Sequence, residues 1–354
     1  MSMTSETAAA SLLEWEAFLE RVHQMGHAVD RERLPFFDGR DWEAEEVMQV
    51  WAGKYTRNIA LHYREILQDQ HIGTIRGILG KKCPVAVVGA GPSLDKNVEE
   101  LRDFPGLILA CDRAARCLTA RGITPDIVVC VDPRQVLLAQ MLNYSENALQ
   151  VLALSVYCSP DVANAWKGKR LYFSTIHEGT QFHDRILPEL FPGMPALFAA
   201  GNVGNTAVQL AAWMASGRIV LVGQDYGYTG ERMHADEYVE TDVAGSRGDR
   251  MRVWAKVPCM PDSDALRLRT GKVAVNGITT YNAFVGYKKS LHQIVDVMGL
   301  DLVNATEGGI LTDFPCDTLR NVVSRLELEG HNHHNAAEAR AALAQAITSA
   351  EANQ

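Results

Sequence analysis

From Pro84 onward the chain carries a series of short apolar runs without polar alternation: Pro84–Val88, Leu107–Cys111, Ile127–Val131, Leu149–Leu154, Arg170–Phe173 and Ile219–Val222. A strand that faces water on one side alternates apolar and polar residues. Unbroken apolar runs mark strands covered on both faces, as in a parallel sheet flanked by helices. Segments such as Asp95–Asp103 and Ala114–Arg121 supply crossover helices between the runs. Strands alternating with helices predict an α/β fold with an open, mostly parallel sheet.

The flanks have a different texture. Leu12, Trp15, Leu19 and Val22 recur at helical spacing, as do Val47, Trp51, Tyr55, Ile59 and Ile66 between Trp42 and Leu67. Residues 1–80 therefore read as a helical preface, 81–315 as the main domain and 316–354 as a helical tail. In the tail, Leu319–Leu328 and the Ala-rich run Ala336–Ala350 are the expected helices, and the His331–Asn335 stretch reads as a solvated linker. Residues 230–275 are polar, charged and too long for a routine loop, which predicts a lid or an excursion with its own hairpin. Sheet texture returns at Leu300–Val303.

At 354 residues the chain has room for about two domains, or one large domain with additions. Lys and Arg number 34 against 43 Asp and Glu, a net charge of −9. That balance argues against nucleic acid as a partner, since phosphate backbones are met by clustered cations. It equally argues against a basic membrane-binding patch. The seven cysteines form no CxxC pair, so no disulfide framework or zinc knuckle is indicated. Cys111 and Cys130 read as small buried hydrophobes. The N-terminus lacks the pattern of a signal peptide, and no run of about 18 apolar residues predicts a membrane span. The expected location is cytoplasmic.

In open parallel sheets ligands bind outside the carboxyl ends of the strands. The residues that follow the predicted strands are rich in chemistry. Gly89, Gly91, Pro92 and Ser93 follow the first strand and open a helix, an arrangement able to present N–H groups to a phosphate. The third glycine of a dinucleotide fingerprint is replaced by Leu94, and no Walker lysine follows. Ser93 or Asp95 is a candidate helix cap. Asp112 follows the second strand, 21 residues beyond Gly91, near where a ribose-binding acid is expected. Asp132 follows the third. Gly201, Asn202, Asn205 and Thr206 open an apolar helix and offer neutral donors and acceptors. Gln224, Asp225, Tyr228 and His234 follow Ile219–Val222, and Asn304 and Glu307 follow Leu300–Val303.

Taken together and in order, VVGAGPSLDKNVEEL, GITPDIVVCVDP, GNVGNTAVQLA, LVGQDYGYTGERMHA and VNATEGG resemble the motility accessory factor (Maf) family. That family lies within the wider 6-hydroxymethylpterin diphosphokinase-like (MptE-like) group. The resemblance spans about Pro84 to Asp313. It implies a Rossmann-like fold similar to bacterial sialyltransferases. It also implies transfer of a nonulosonic, sialic-acid-like sugar from a CMP-activated donor, with flagellin or another surface protein as acceptor. The pterin branch instead implies pyrophosphate transfer from ATP with Mg²⁺. Val131-Asp132-Pro133-Arg134 stands where that branch carries an Asp-Leu-Asp-Gly-like stretch, which favours sugar transfer. Motility factors are usually longer, which points to an acceptor other than flagellin.

Under the sugar-transfer reading no cofactor is required, and the nucleotide-activated sugar is itself the donor. Gly89, Gly91 and Ser93 are the expected phosphate donors, Asp112 the ribose ligand, and Asn202 and Asn205 the readers of nucleotide or sugar. His234 is the candidate general base because an unperturbed imidazole titrates near neutrality. Asp225 is expected to orient it or tune its charge, Tyr228 to steady the leaving phosphate, and His177 to stand in reserve. Asp132 and Glu307 line the site, and become Mg²⁺ ligands under the pyrophosphokinase alternative. A non-catalytic nucleotide-binding accessory factor is a further alternative. An NAD(P) dehydrogenase is weaker, given the incomplete glycine fingerprint.

Overall fold

A computed structural model of the chain describes residues 42–133, 150–176, 186–198, 200–230, 232–235, 237–244, 250–257 and 272–352. Nine strands among these form one parallel sheet. They are β1 (Gln70–His71), β2 (Val85–Val88), β3 (Leu107–Cys111), β4 (Ile127–Cys130), β5 (Val151–Ser155), β6 (Lys169–Ile176), β7 (Ala196–Phe198), β8 (Ile219–Val222) and β13 (Leu302–Asn304). The order is β1-β6-β5-β4-β3-β2-β8-β13, with β7 beside β6. The two hairpins, β9 (Glu237–Ala244) with β10 (Arg250–Val257) and β11 (Lys272–Val275) with β12 (Ile278–Tyr281), are antiparallel.

Alternate residues of each strand serve opposite cores, as a period of two requires. Ala86, Val88, Ile108, Ala110, Val128, Cys130, Leu152 and Val220 face one layer. That layer contains α1 (Trp42–Gln68), α2 (Leu94–Asn97), α3 (Asp112–Thr119), α4 (Pro160–Ala165), α5 (Leu187–Leu190) and, beyond the intervening helices, Leu319–Leu328. Val85, Val87, Leu107, Leu109, Ile127, Val129, Val151 and Leu221 face the other. That layer holds α6 (Val203–Trp213), α7 (Asn282–Met298) and the last helix, with Leu319–Leu328 as α8 and His333–Glu351 as α9. The unbroken apolar runs thus mark strands covered on both sides.

Several elements differ from the sequence reading. Gln70–His71, inside the stretch read as helical, is a strand paired to β6, and Gln70 Nε2 donates to Ile347 O in α9 at 2.9 Å. Asp95–Asp103 is one α-turn that tightens into a 3₁₀ helix over Val98–Asp103. Ser93 does not cap it, because the hydroxyl is used elsewhere. The long excursion does carry its own hairpin, β9–β10, and β9 runs against α3. In the tail, Asn332 and Asn335 make a reciprocal capping box, so His333 and His334 begin α9 instead of linking to it. Arg340 of α9 binds Asp126 at 2.6 Å, clasping the tail to the loop before β4. No helix among the described residues is long and apolar enough to cross a membrane.

Candidate functional site at the sheet's switch point

The chain runs outward from β2 through β3, β4, β5 and β6, then returns to place β8 on the opposite side of β2. The strand order reverses between β2 and β8, and a crevice opens at the carboxyl ends of such strands. Three loops converge there: Gly89–Ser93 after β2, Gly223–Tyr228 after β8 and Thr306–Gly309 after β13.

Asp225 ties them together. Its carboxylate accepts from the Ser93 hydroxyl at 2.6 Å and from the Ser93 amide at 3.2 Å. Its own carbonyl accepts from the Ile310 amide at 2.8 Å. The Gly91 amide donates to Gly223 O and the Gly89 amide to Val222 O, each at 2.8 Å. A Cβ at Gly91 would overlap Asp225 Oδ2, and one at Gly309 would overlap the Asp225 main chain. These glycines are required by the approach of protein to protein. Burial pushes the Asp225 carboxyl up to about 6, and the Ser93 hydrogen bonds and Lys96 hold it from rising further. Asp225 is therefore engaged with Ser93 and does not orient His234, as the sequence had suggested.

The second glycine-rich segment is also knitted internally. Asn202 caps α6 by accepting from the Asn205 amide at 2.8 Å. Asn205 donates to Ala200 O at 2.8 Å and Tyr287 O at 2.9 Å, and accepts from the Tyr226 hydroxyl at 2.7 Å. Thr206 donates to Asn202 O at 3.3 Å. A Cβ at Gly201 would enter the Tyr287 ring. The Gln224 side chain is wedged between Gly89 and Gly204, and its main-chain N–H donates to the Thr306 hydroxyl at 3.1 Å. Tyr228 is buried edge-on against Tyr281, with ring centroids 5.3 Å apart. Asn304 donates to Leu311 O at 2.9 Å, and its Oδ1 accepts from the Thr306 amide at 3.0 Å. Glu307 accepts from Asn97 at 2.9 Å and from the Leu319 amide at 3.1 Å, tying the β13 loop to the start of α8.

The remaining predicted groups gather on the β3 side of the crevice. The segment 232–235 lies over the glycine loop: the Ala235 amide donates to Ala90 O at 2.8 Å. His234 also hydrogen-bonds the Ala90 main chain and faces Arg113 in the first turn of α3. Burial and the Arg113 charge push its imidazole down to about 3, so the ring is neutral at physiological pH. Arg232 pairs with Asp95, whose other oxygen holds Arg121 at 3.0 Å. Asp112 Oδ1 accepts the Arg113 amide at 2.7 Å. Asp132 lies beside Pro133 at the end of β4, where Asn58 donates to Pro133 O at 2.9 Å. His177 lies outside the described residues. Arg113 and Arg232 escaped the sequence reading, and Asp95 figured there only as a candidate helix cap. The signal was present in Asp-Arg-Ala-Ala-Arg directly after a strand, two arginines three apart on one helical face.

A divalent cation, as the pyrophosphokinase alternative implies, would draw on Asp112 and Asp132 at neighbouring strand ends. Glu307 and Asp225 are occupied by protein donors. No group of three His, Cys, Asp or Glu side chains suited to a metal forms among the described residues.

Residues 57–231 match the family described as 6-hydroxymethylpterin diphosphokinase MptE-like. Over those residues, about half of the chain, it is similar to the MptE-like family. One curated relative is the 6-hydroxymethyl-7,8-dihydropterin pyrophosphokinase of Pyrococcus furiosus, 28% identical over 141 residues, which are 39% of this chain and 50% of that one. Another is an uncharacterized protein of Treponema pallidum (strain Nichols), 27% identical over 132 residues, 35% of this chain and 57% of that one. The match thus spans only about half the length of these relatives. Among solved structures, the Maf glycosyltransferase of Magnetospirillum magneticum AMB-1 shares the fold of this chain. Its TM-score is 0.50 at 18% identity, over 75% of this chain and 37% of that one.

Proposed function

We propose that this protein is a nucleotide-dependent transferase of the glycosyltransferase type. It moves a nonulosonic sugar from a CMP-activated donor to a hydroxyl of a protein or glycan. The observation that carries the reading is the grouping of Arg113, His234 and Asp112 beside the Gly89–Ser93 loop. These groups stand at the crevice of a fold shared with a Maf glycosyltransferase.

In this reading the bond between the anomeric carbon and the phosphate oxygen breaks, and negative charge grows on the departing CMP. Arg113 is the cation poised to meet that charge, a role in which preorganised charge in a dry site is most effective. The acceptor hydroxyl forms the new bond to the anomeric carbon and gives its proton to His234. In the free protein Arg113 suppresses the basicity of this ring. An anionic donor beside it opposes that charge and restores proton affinity. Asp112 holds a ribose hydroxyl. Flagellin is one acceptor class consistent with the Maf likeness.

The test is CMP release from CMP-activated nonulosonates with a hydroxyl acceptor. His234→Gln should lower the rate roughly 10²–10⁴-fold, the usual contribution of a positioned base. Full activity in His234→Gln would remove the ring from the chemistry. A second reading, pyrophosphate transfer from ATP to a hydroxymethylpterin, is favoured by the family match and the Pyrococcus relative. Formation of AMP from ATP and a hydroxymethylpterin, with no turnover of any CMP-sugar, would replace the first reading with the second.

A further inference from the structure

The contacts described above leave Arg116 unexplained. This side chain lies in α3, only 9% exposed, and its Nε–H finds no acceptor among the described residues. Asp95, the carboxylate that binds two other arginines on this side of the site, is committed to Arg121 and Arg232. A buried guanidinium is unfavourable unless paired and hydrogen-bonded, and it cannot escape by losing its proton. Its position tells where a partner would sit. Helical side chains lean toward the N-terminus of their helix and meet residues three and four positions earlier. Arg116 therefore leans toward the carboxyl end of β3, onto the turn carrying Asp112 and Arg113. Strand β9 runs against the same helix.

We propose that Arg116 is the buried anchor for the phosphate of the bound nucleotide, with Arg113 as the second guanidinium. Planar guanidinium forks match phosphate oxygens in pairs, and a site with few competing waters strengthens both contacts. The proposal deepens the functional reading above and rests on a nucleotide binding at this crevice. It assigns the phosphate to the start of α3 and not to the glycine loop. The amides of Gly89, Gly91 and Ser93 in that loop already serve Val222, Gly223 and Asp225.

The experiment compares the full chain with Arg116→Met, Arg116→Lys and a control, Arg320→Met, which removes an exposed arginine paired with Glu100. Calorimetry measures CMP and cytidine affinity. Thermal unfolding measures the rise in melting temperature given by pyrophosphate over chloride at equal ionic strength. The wild type and Arg320→Met should bind CMP about 10–100-fold more tightly than cytidine, the range expected for charge-assisted hydrogen bonds. Arg116→Met should erase that ratio and the pyrophosphate-induced rise, while Arg116→Lys keeps part of both. Without ligand, Arg116→Met should melt at the same or a higher temperature than wild type, because a buried Nε–H without an acceptor is gone. A purely structural arginine gives the opposite pattern: a lower melting temperature with the pyrophosphate rise intact, which would overturn the assignment. If no cytidine nucleotide binds but pyrophosphate still stabilises in an Arg116-dependent way, the anchor stands and the CMP-sugar reading falls. If neither ligand stabilises the wild type, both fall.

Discussion

Replacing Asp225 by Asn tests the loop knot through its pH dependence. The carboxyl is buried, and its folded value is raised from 3.8 to about 6. Between those two values the folded state holds a proton that the unfolded state has released. Stability from this group is therefore greatest below pH 4, falls as pH rises to about 6, and is flat above. This is the reverse of a carboxylate stabilised by a salt bridge. A shift of about two units at roughly 1.4 kcal/mol each amounts to about 3 kcal/mol. Asn keeps the size of Asp, and its Oδ1 still accepts from Ser93, but it has nothing to titrate. The stability gap, Asp225→Asn minus wild type, should therefore grow in favour of Asn by about 2–2.5 kcal/mol between pH 4 and pH 7, since pH 4 already lies above the unfolded value. Urea unfolding at pH 4, 5, 6 and 7 measures it, and subtracting the two proteins cancels every other titrating group. A gap that stays constant, or that turns toward wild type as pH rises, would refute the reasoning.

Other substitutions probe the same site. Gly91→Ala should cost about 1–3 kcal/mol through overpacking against Asp225, whereas Gly53→Ala, with open space and a helical position, should gain about 0.5–1 kcal/mol; urea midpoints read both. Asn205→Ala strips the partners of Ala200 O, Tyr287 O and the Tyr226 hydroxyl, and should cost at least about 2 kcal/mol by the same assay. The His234 ring should stay neutral from pH 8 to pH 5 in the ligand-free protein, so its imidazole NMR signals should not titrate there. A midpoint near 6.5 would show that the ring is not held between Ala90 and Arg113.

The sheet was legible because burial on both faces leaves a direct trace. Leu107–Cys111 and Ile219–Val222 were bounded correctly from apolarity alone. β1 was not, because two residues inside a helical pattern carry no periodic signal and pair only with a strand about a hundred residues away. The β11–β12 hairpin had a signal that went unused. Asn276-Gly277, both in left-handed conformation, is the turn pair that joins twisted strands, and it sits between Val275 and Ile278. At the site, strand order brought together the loops that the sequence singled out. The division of labour within them was hidden. Asn205 finds its partners 82 and 21 residues away, and Asp225 finds Ser93 across 132 residues, so local sequence could not show that these polar groups serve one another. Arg113 and Arg116 were overlooked because a helix following a strand reads as packing.

The central claim is that the crevice beside β2 and β8 takes a cytidine nucleotide. A thermal-shift panel of CMP, CDP, CTP, ATP, GTP and NAD, each with Mg²⁺ or with EDTA, tests it most directly, since a ligand that binds only the folded chain raises its melting temperature. Selective stabilisation by CMP or CTP, unchanged by EDTA, is the expected result. Stabilisation by ATP alone, lost on adding EDTA, would contradict it.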